Sequence, residues 1–191
     1  MNKAANILIV GVGGQGTVLA SRIISQAAQL SGYDVKQSEV HGMAQRGGSV
    51  VSYVRFADKI FSPMVEIGQA DMIIAFEKLE ALRWSDYLQS KGIMIVNEQE
   101  IPPVSGMTGT VSYPGDILKT LSSYCQTITV NAIGMAIKLG EPRTVNSILL
   151  GTALKKLGFE RSIGEKAVIK SVPGRTVEVN LRALSLGWDL I

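Results

Sequence analysis

The 191-residue chain has one cysteine, Cys125, and one histidine, His41. An iron–sulfur cluster takes about four thiolates and a zinc site about three or four Cys, His or carboxylate ligands. One thiol and one imidazole therefore exclude a cluster held by this chain alone, and no metal site is expected. The same count excludes an intrachain disulfide, in agreement with a reducing compartment. Aromatic residues make up 6%, the formal charge is +3, and no run of lysine or arginine occurs. Nucleic-acid binders combine a basic stripe with stacking aromatics, so nucleic acid is not expected as a partner. The mild basic excess fits an anionic cofactor or an acidic partner. No apolar run approaches the ~20 residues of a membrane span, and no signal-peptide cleavage pattern follows the first one, Ile7-Leu8-Ile9-Val10. The expectation is a cytoplasmic, soluble protein with no membrane contact.

What is present is a core. Hydrophobic residues reach 46% and charged residues 18%, enough to bury a large interior and too apolar for wholesale disorder. The length fits one domain over residues 1–191. Ile7-Leu8-Ile9-Val10 reads as a strand buried on both faces. From Gly16 to about Leu30, Val18, Leu19, Ile23, Ile24 and Ala27 recur at helical spacing. Strands follow at Asp34–Val40, Val50–Phe56, Asp71–Phe76, Gly92–Asn97 and Ile128–Val130, with a helix through Glu77–Arg83. Pro102-Pro103 and Pro114-Gly115 mark a less regular section. The remainder has helical period: about Asn131–Leu139, Thr144–Leu157, Glu165–Ser171 and Thr176–Leu186. Alternating strands and helices predict an α/β fold: one doubly wound, mostly parallel sheet with helices on both faces, a Rossmann-like start and a helical C-terminal part.

Two glycine-rich segments stand out. Gly11-Val12-Gly13-Gly14-Gln15-Gly16 sits between a strand and a helix, where glycines let backbone amides approach phosphate oxygens. A ligand-free packing turn fits the same pattern. For NAD an acidic residue is wanted near the end of the second strand, and Glu39 lies at that spacing. Against an NAD enzyme stand the short chain and the lack of a second proton-handling constellation. The second segment, His41-Gly42-Met43-Ala44-Gln45-Arg46-Gly47-Gly48-Ser49-Val50, has no helical or strand period. It reads either as backbone held close to a ligand or partner, or as a surface loop.

Together these segments resemble the gamma-subunit family of the 2-oxoacid:ferredoxin oxidoreductases. The family's Gly-x-Gly-Gly-Gln-Gly turn is matched at Gly11, Gly13, Gly14, Gln15 and Gly16. Its Gln-Arg-Gly-Gly-x-Val segment is matched at Gln45 to Val50, ahead of Val54-Arg55-Phe56. Ser62-Pro63, Ala70-Asp71, Glu77 to Arg83, Val145-Asn146-Ser147, Leu150-Gly151, Glu178-Val179-Asn180 and Gly187 continue the match along almost the whole chain. The longer form Glu39 to Gly48 is most similar to the small (beta) subunit of the indolepyruvate branch. The pyruvate and 2-oxoglutarate branches remain alternatives, as does a free-standing NAD(P)-binding enzyme.

The resemblance implies a subunit that is inactive alone. A large alpha subunit carries thiamine diphosphate and [4Fe-4S] clusters, coenzyme A accepts the acyl group, and ferredoxin takes the electrons. It implies conversion of an aryl-pyruvate to an aryl-acetyl-CoA and carbon dioxide. Site candidates are Gly11, Gly13, Gly14, Gln15, Gly16, Arg46, Gly47 and Gly48 for cofactor binding, with His41 and Arg46 as catalytic candidates. Arg46 offers a forked pair of donors to a phosphate or carboxylate, or alternatively an ion pair that pins the loop. Glu39 is read as a cap for the loop or a partner for Arg46. Met43 and Met64 are read as interface or core residues, Cys125 as a buried apolar thiol, and Trp84, Tyr87 and Trp188 as packing anchors.

Overall fold

A computed structural model describes residues 4–41, 47–102 and 112–191. Met43, Gln45, Arg46 and the side chain of His41 lie outside the described residues. In chain order the elements are β1 (Ala5–Val12), α1 (Thr17–Leu30), β2 (Asp34–His41), β3 (Ser49–Ala57), β4 (Ala70–Ala75), α2 (Lys78–Arg83), β5 (Leu88–Asn97), α3 (Ile117–Tyr124), β6 (Gln126–Val130), α4 (Ala132–Leu139), α5 (Val145–Lys156), α6 (Arg161–Ser171) and α7 (Val177–Trp188). Short 3₁₀ turns at Ser85–Tyr87, Pro142–Thr144 and Gly174–Thr176 join some of them.

The six strands form one sheet in the order β2-β3-β1-β4-β5-β6. β1, β4, β5 and β6 run parallel, while β3 is antiparallel to both β1 and β2. The sheet is mostly parallel, as the alternation of elements predicts, but its start departs from a Rossmann unit. There β2 would lie beside β1; here β3 lies between them, with Ala5↔Phe56 through Val12↔Ser49 in register. The reason is the connection. Residues 42–48 link β2 to β3, and a parallel crossover needs about a dozen residues or more, so these strands pair only as a hairpin. Of the second glycine-rich segment, His41 ends β2 and Ser49-Val50 begin β3.

Alternation along the strands splits the core into two layers. Ile7 and Ile9 of β1, Met72 and Ile74 of β4 and Ile95 of β5 pack with α1 and α4 to α7. Leu8, Val10, Ile73, Ala75, Met94 and Val96 face the other side, against Ala81 of α2 and Ile117 and Leu121 of α3. Each fully buried Ile or Leu contributes about 1.5–3 kcal/mol of transfer free energy. Helix α3 falls in the section that reads as irregular. Ile117 and Leu121 are spaced one turn apart, but Pro114 and Gly115 just upstream dominate the pattern, and the helix opens on Asp116 at φ 54°.

The C-terminal helices pack through their glycines. α5 is buried on almost every side. A Cβ on its Gly151 would lie 2.1 Å from the Leu184 carbonyl oxygen of α7, and one on Gly187 would lie 1.8 Å from that of Ile148. Backbone thus meets backbone at this crossing. Thr152 Oγ1 donates to the Gly187 carbonyl at 2.8 Å, and Ser147 Oγ to Asn180 Oδ1 at 2.6 Å. This seam sets the position of the amino end of α5, which borders the site described next.

Candidate functional site at the carboxyl ends of β1 and β4

β1 and β4 are parallel neighbours whose following helices lie on opposite faces of the sheet. Such a reversal opens a crevice at the strands' carboxyl ends, where α/β sheets bind ligands. The glycine turn occupies this crevice. Gly11 packs so tightly that a Cβ there would lie 3.0 Å from Phe76 Cβ and 2.9 Å from Gln15 Oε1. Gly14 and Gly16 have φ of +105° and +87°, which other L-residues adopt only at a cost of about 1–2 kcal/mol. Gly16 is the N-cap of α1 and supplies no side chain, so no side chain caps the helix's first-turn amides.

The two glycine-rich segments meet. Gly13 N donates to the Gly48 carbonyl at 2.9 Å, and Gly11 and Val12 pair with Val50 and Ser49. Gly47 is exposed at φ +77°. Gln15 has a different job from its glycine neighbours. Its Oε1 accepts from Val12 N at 2.7 Å, and its Nε2 donates to the Phe76 carbonyl and Gln99 Oε1 at 3.1 and 3.2 Å. Its amide donors are thus spent on the fold. Buried Asn97 completes the brace, donating to the Phe76 carbonyl at 3.0 Å and accepting from Ala132 N at 3.1 Å.

A cavity of about 390 Å³ lies beside the turn, lined by Gly14, Gly16, Gln99, Ile133, Arg143 and Asn146 among others. Three of these, Gln99, Arg143 and Asn146, have polar side chains that sequence reasoning did not single out as ligand groups; Asn146 was noted only within a matching segment. Asn146 is 4% exposed. Its Oδ1 accepts from Ser147 N at 2.8 Å, while its Nδ2 makes no hydrogen bond among the described residues and sits 3.3 Å from where a Cβ of Gly16 would stand. Arg143 is at the rim, its Nε and Nη2 on the two oxygens of Glu141 at 2.8 and 2.9 Å. That fork holds the Glu141 carboxyl well below its ordinary range, at about 2. The cavity therefore offers donors: an uncapped helix start, an unused amide N–H₂ and, at the rim, the remaining N–H groups of a guanidinium already paired with Glu141. Such a set suits an oxyanion.

On the other face of the sheet, α2 carries two buried carboxylates. Glu77 is the N-cap and accepts from Glu80 N at 3.0 Å, from Ile101 N at 3.1 Å and from the Tyr113 hydroxyl. Burial, reinforced by the Glu77 carboxylate, raises the Tyr113 phenol well above its ordinary value. Glu80 accepts from Ser49 Oγ and pairs with Arg83 at 3.3 Å. Trp84 donates to the same Ser49 hydroxyl at 3.4 Å and packs in a tilted ring contact on Tyr87, centroids 5.1 Å apart.

Other sequence expectations fare variously. Glu39 lies on β2 opposite Ser52 of β3, one strand removed from β1 and so about 9–10 Å away across the sheet. It is not placed as the ribose-binding acid of a Rossmann unit. Met64 is half exposed. Cys125 is only partly buried, its thiol 3.4 Å from the Leu121 carbonyl and Thr127 Oγ1. Trp188 packs on the larger core layer, as a packing anchor should. Among the described residues no group of three or more His, Cys, Asp or Glu side chains could hold a metal ion, and no helix is long and apolar enough to cross a membrane.

Known proteins share this arrangement. The chain is 41% identical over 191 aligned positions to indolepyruvate oxidoreductase subunit IorB of Pyrococcus horikoshii, covering 97% of this chain and 95% of that one. The keto/oxoacid ferredoxin oxidoreductase gamma subunit of Geobacter sulfurreducens superposes with a TM-score of 0.73 at 28% identity, over 97% of this chain and 96% of that one. The 2-oxoglutarate:ferredoxin oxidoreductase of Magnetococcus marinus matches the fold with a TM-score of 0.76 at 16% identity; all of this chain corresponds to 31% of that longer one. The family model described as pyruvate ferredoxin/flavodoxin oxidoreductase matches residues 6–190. With the glycine turn, the hairpin and the paired C-terminal helices all inside that span, the chain belongs to this family, as a small subunit of a 2-oxoacid:ferredoxin oxidoreductase complex.

Proposed function

We propose that the chain is the small subunit of an indolepyruvate:ferredoxin oxidoreductase. The complex converts an aryl-pyruvate to the aryl-acetyl-CoA and carbon dioxide and passes the electrons to ferredoxin. The observation that carries the reading is the full-length 41% identity to an indolepyruvate oxidoreductase subunit. One cysteine does not fit a [4Fe-4S] cluster, which takes about four thiolates. The clusters are therefore assigned to a large alpha subunit, and the resemblance to the family assigns the thiamine diphosphate there as well.

This chain's own contribution is to position. The donor-rich cavity beside Gly14, Gly16, Arg143 and Asn146 suits a phosphate-bearing co-substrate, and coenzyme A, bound in the Magnetococcus marinus structure, is the co-substrate proposed here. When bound, coenzyme A supplies the thiol that takes up the acyl group. Gly47 and Gly48 are proposed to lie at the edge that faces the large subunit, and Arg46 directly precedes them in sequence.

The test is reconstitution with the large subunit encoded by the same organism, followed by dye reduction with indolepyruvate and coenzyme A. The complex should turn over, and the small subunit alone should be colourless, iron-free and inactive. Arg46→Ala should lower turnover about ten- to a hundredfold with the subunit still folded, as expected for one charge-assisted contact made in the transition state. Stoichiometric iron in the isolated chain, or NAD binding at low micromolar concentration, would refute the reading.

A further inference from the structure

We propose that Glu80 is a positioning residue of this site, acting through Ser49 on the glycine turn. Glu80 is 4% exposed, on a helix that packs under the sheet away from the cavity. A buried carboxylate is costly unless hydrogen-bonded and paired, and its partners show what it is used for. One oxygen takes the Ser49 hydroxyl, the other the half-exposed guanidinium of Arg83. Ser49 is the first residue of β3. It lies opposite Val12 in the ladder and directly follows Gly48, whose carbonyl receives Gly13 N. The chain of contacts runs from Glu80 Oε2 to Ser49 Oγ, along one residue of backbone to Gly48, and across to Gly13.

The tether supplies what the sequence around it lacks. Gly47 and Gly48 have no side chains with which to fix the hairpin, and among the described residues nothing lies within 4 Å of where a Cβ of Gly47 would stand. Among the described residues nothing lies within 4 Å of where a Cβ of Gly14 would stand either. The Gly48–Gly13 bond lies at the end of the β1–β3 ladder, and backbone bonds at the end of a ladder open more readily than those inside it. Trp84, donating to the same hydroxyl, fixes the direction in which Ser49 points. Glu80 thus holds the hairpin and the glycine turn in one fixed relation, from the side of the sheet opposite the cavity.

The experiment uses the full-length subunit and compares Ser49→Ala, Glu80→Ala and Glu80→Gln by NMR-detected hydrogen exchange. Ser49→Ala and Glu80→Ala should speed exchange at the Gly13 amide about ten- to a hundredfold, the worth of a charge-assisted bond. The core amides of Ile9 and Ile74 should stay within about twofold. Glu80→Gln keeps an acceptor oxygen for Ser49 and should restore Gly13 to near the wild-type rate. If Glu80→Ala does not fold, Ser49→Ala decides, since it deletes only a hydroxyl. Unchanged Gly13 exchange in Ser49→Ala, or equal acceleration throughout the sheet, would overturn the proposal.

The second arm rests on the proposed function and uses the reconstituted complex. Ser49→Ala and Glu80→Ala should each lower kcat about tenfold, as misplacement of a positioned group does, and Glu80→Gln should keep most of the wild-type kcat. A loosened Gly13 with unchanged kcat would overturn the positioning role. An inactive wild-type complex would instead refute the functional reading, and the exchange data would still decide whether the tether exists.

Discussion

Replacing Gly151 with alanine should destabilise the subunit by about 3 kcal/mol, although alanine is the better helix former. The ledger starts with a gain, because Ala in place of Gly in a helix interior contributes about 0.8–1.0 kcal/mol. Against it stands the α5–α7 crossing. The new Cβ would lie 2.1 Å from the Leu184 oxygen, 2.6 Å from Trp188 N and 2.9 Å from Gly187 C, all of them backbone atoms that no rotamer change can clear. The helices must separate, and overpacking of this kind costs about 1–3 kcal/mol, here at the upper end. Separation also weakens the Thr152–Gly187 and Ser147–Asn180 bonds that cross the same seam, each worth about 0.5–1.5 kcal/mol. For a chain of this size the net loss lowers Tm by about 6–12 °C. Thermal unfolding of the isolated subunit reads it. Gly164→Ala is the control, because its Cβ would meet only side chains, at 3.2 Å or more, with Leu154 Cδ1 nearest; its Tm should hold or rise. A Gly151→Ala subunit melting within a degree of wild type would refute the backbone-contact argument.

Gly47→Val should cost about 1–3 kcal/mol through the backbone, because φ is +77° and no described residue comes within 4 Å of the added Cβ; Gly47→Asn should lose less than Val, and urea titration of the three subunits orders them. Tyr113→Phe should alter the alkaline limb of the stability curve. The folded state holds the phenol's pKa above its ordinary 10.0, so below about pH 10 the wild-type contribution is fully present, and it declines as pH rises past that value. The wild-type and Tyr113→Phe unfolding curves should therefore converge between pH 10 and higher pH, and a gap that stays constant would refute the assignment.

The sequence by itself determined most of the element types, with the helix Ile117–Tyr124 the exception, helices on both faces of one sheet, and too few thiols for a cluster held by this chain alone. Strand and helix periods act locally, and cysteine counting needs no coordinates. It also marked Gly11 to Gly16 and Gly47-Gly48 as backbone under special demand, and positive φ at Gly14, Gly16 and Gly47 supplies the physical reason. Even the antiparallel β3 was implicit in the short connection to β2, although the Gly-x-Gly-x-x-Gly spacing pointed toward the Rossmann order.

Only the tertiary structure decided which polar groups are occupied and which are left available. Gln15 reads as a ligand residue beside its glycines, yet its amide braces Val12, Phe76 and Gln99, which are adjacent only once β1, β4 and β5 are paired. Asn146 and Arg143 reach the cavity because α5 crosses α7 at Gly151 and Gly187, and a contact that long in sequence leaves no local period to read. Glu80 sits in a helical pattern as an ordinary charged residue. Its partner Ser49 is 31 residues away, and only the fold brings the hydroxyl that the buried carboxylate requires.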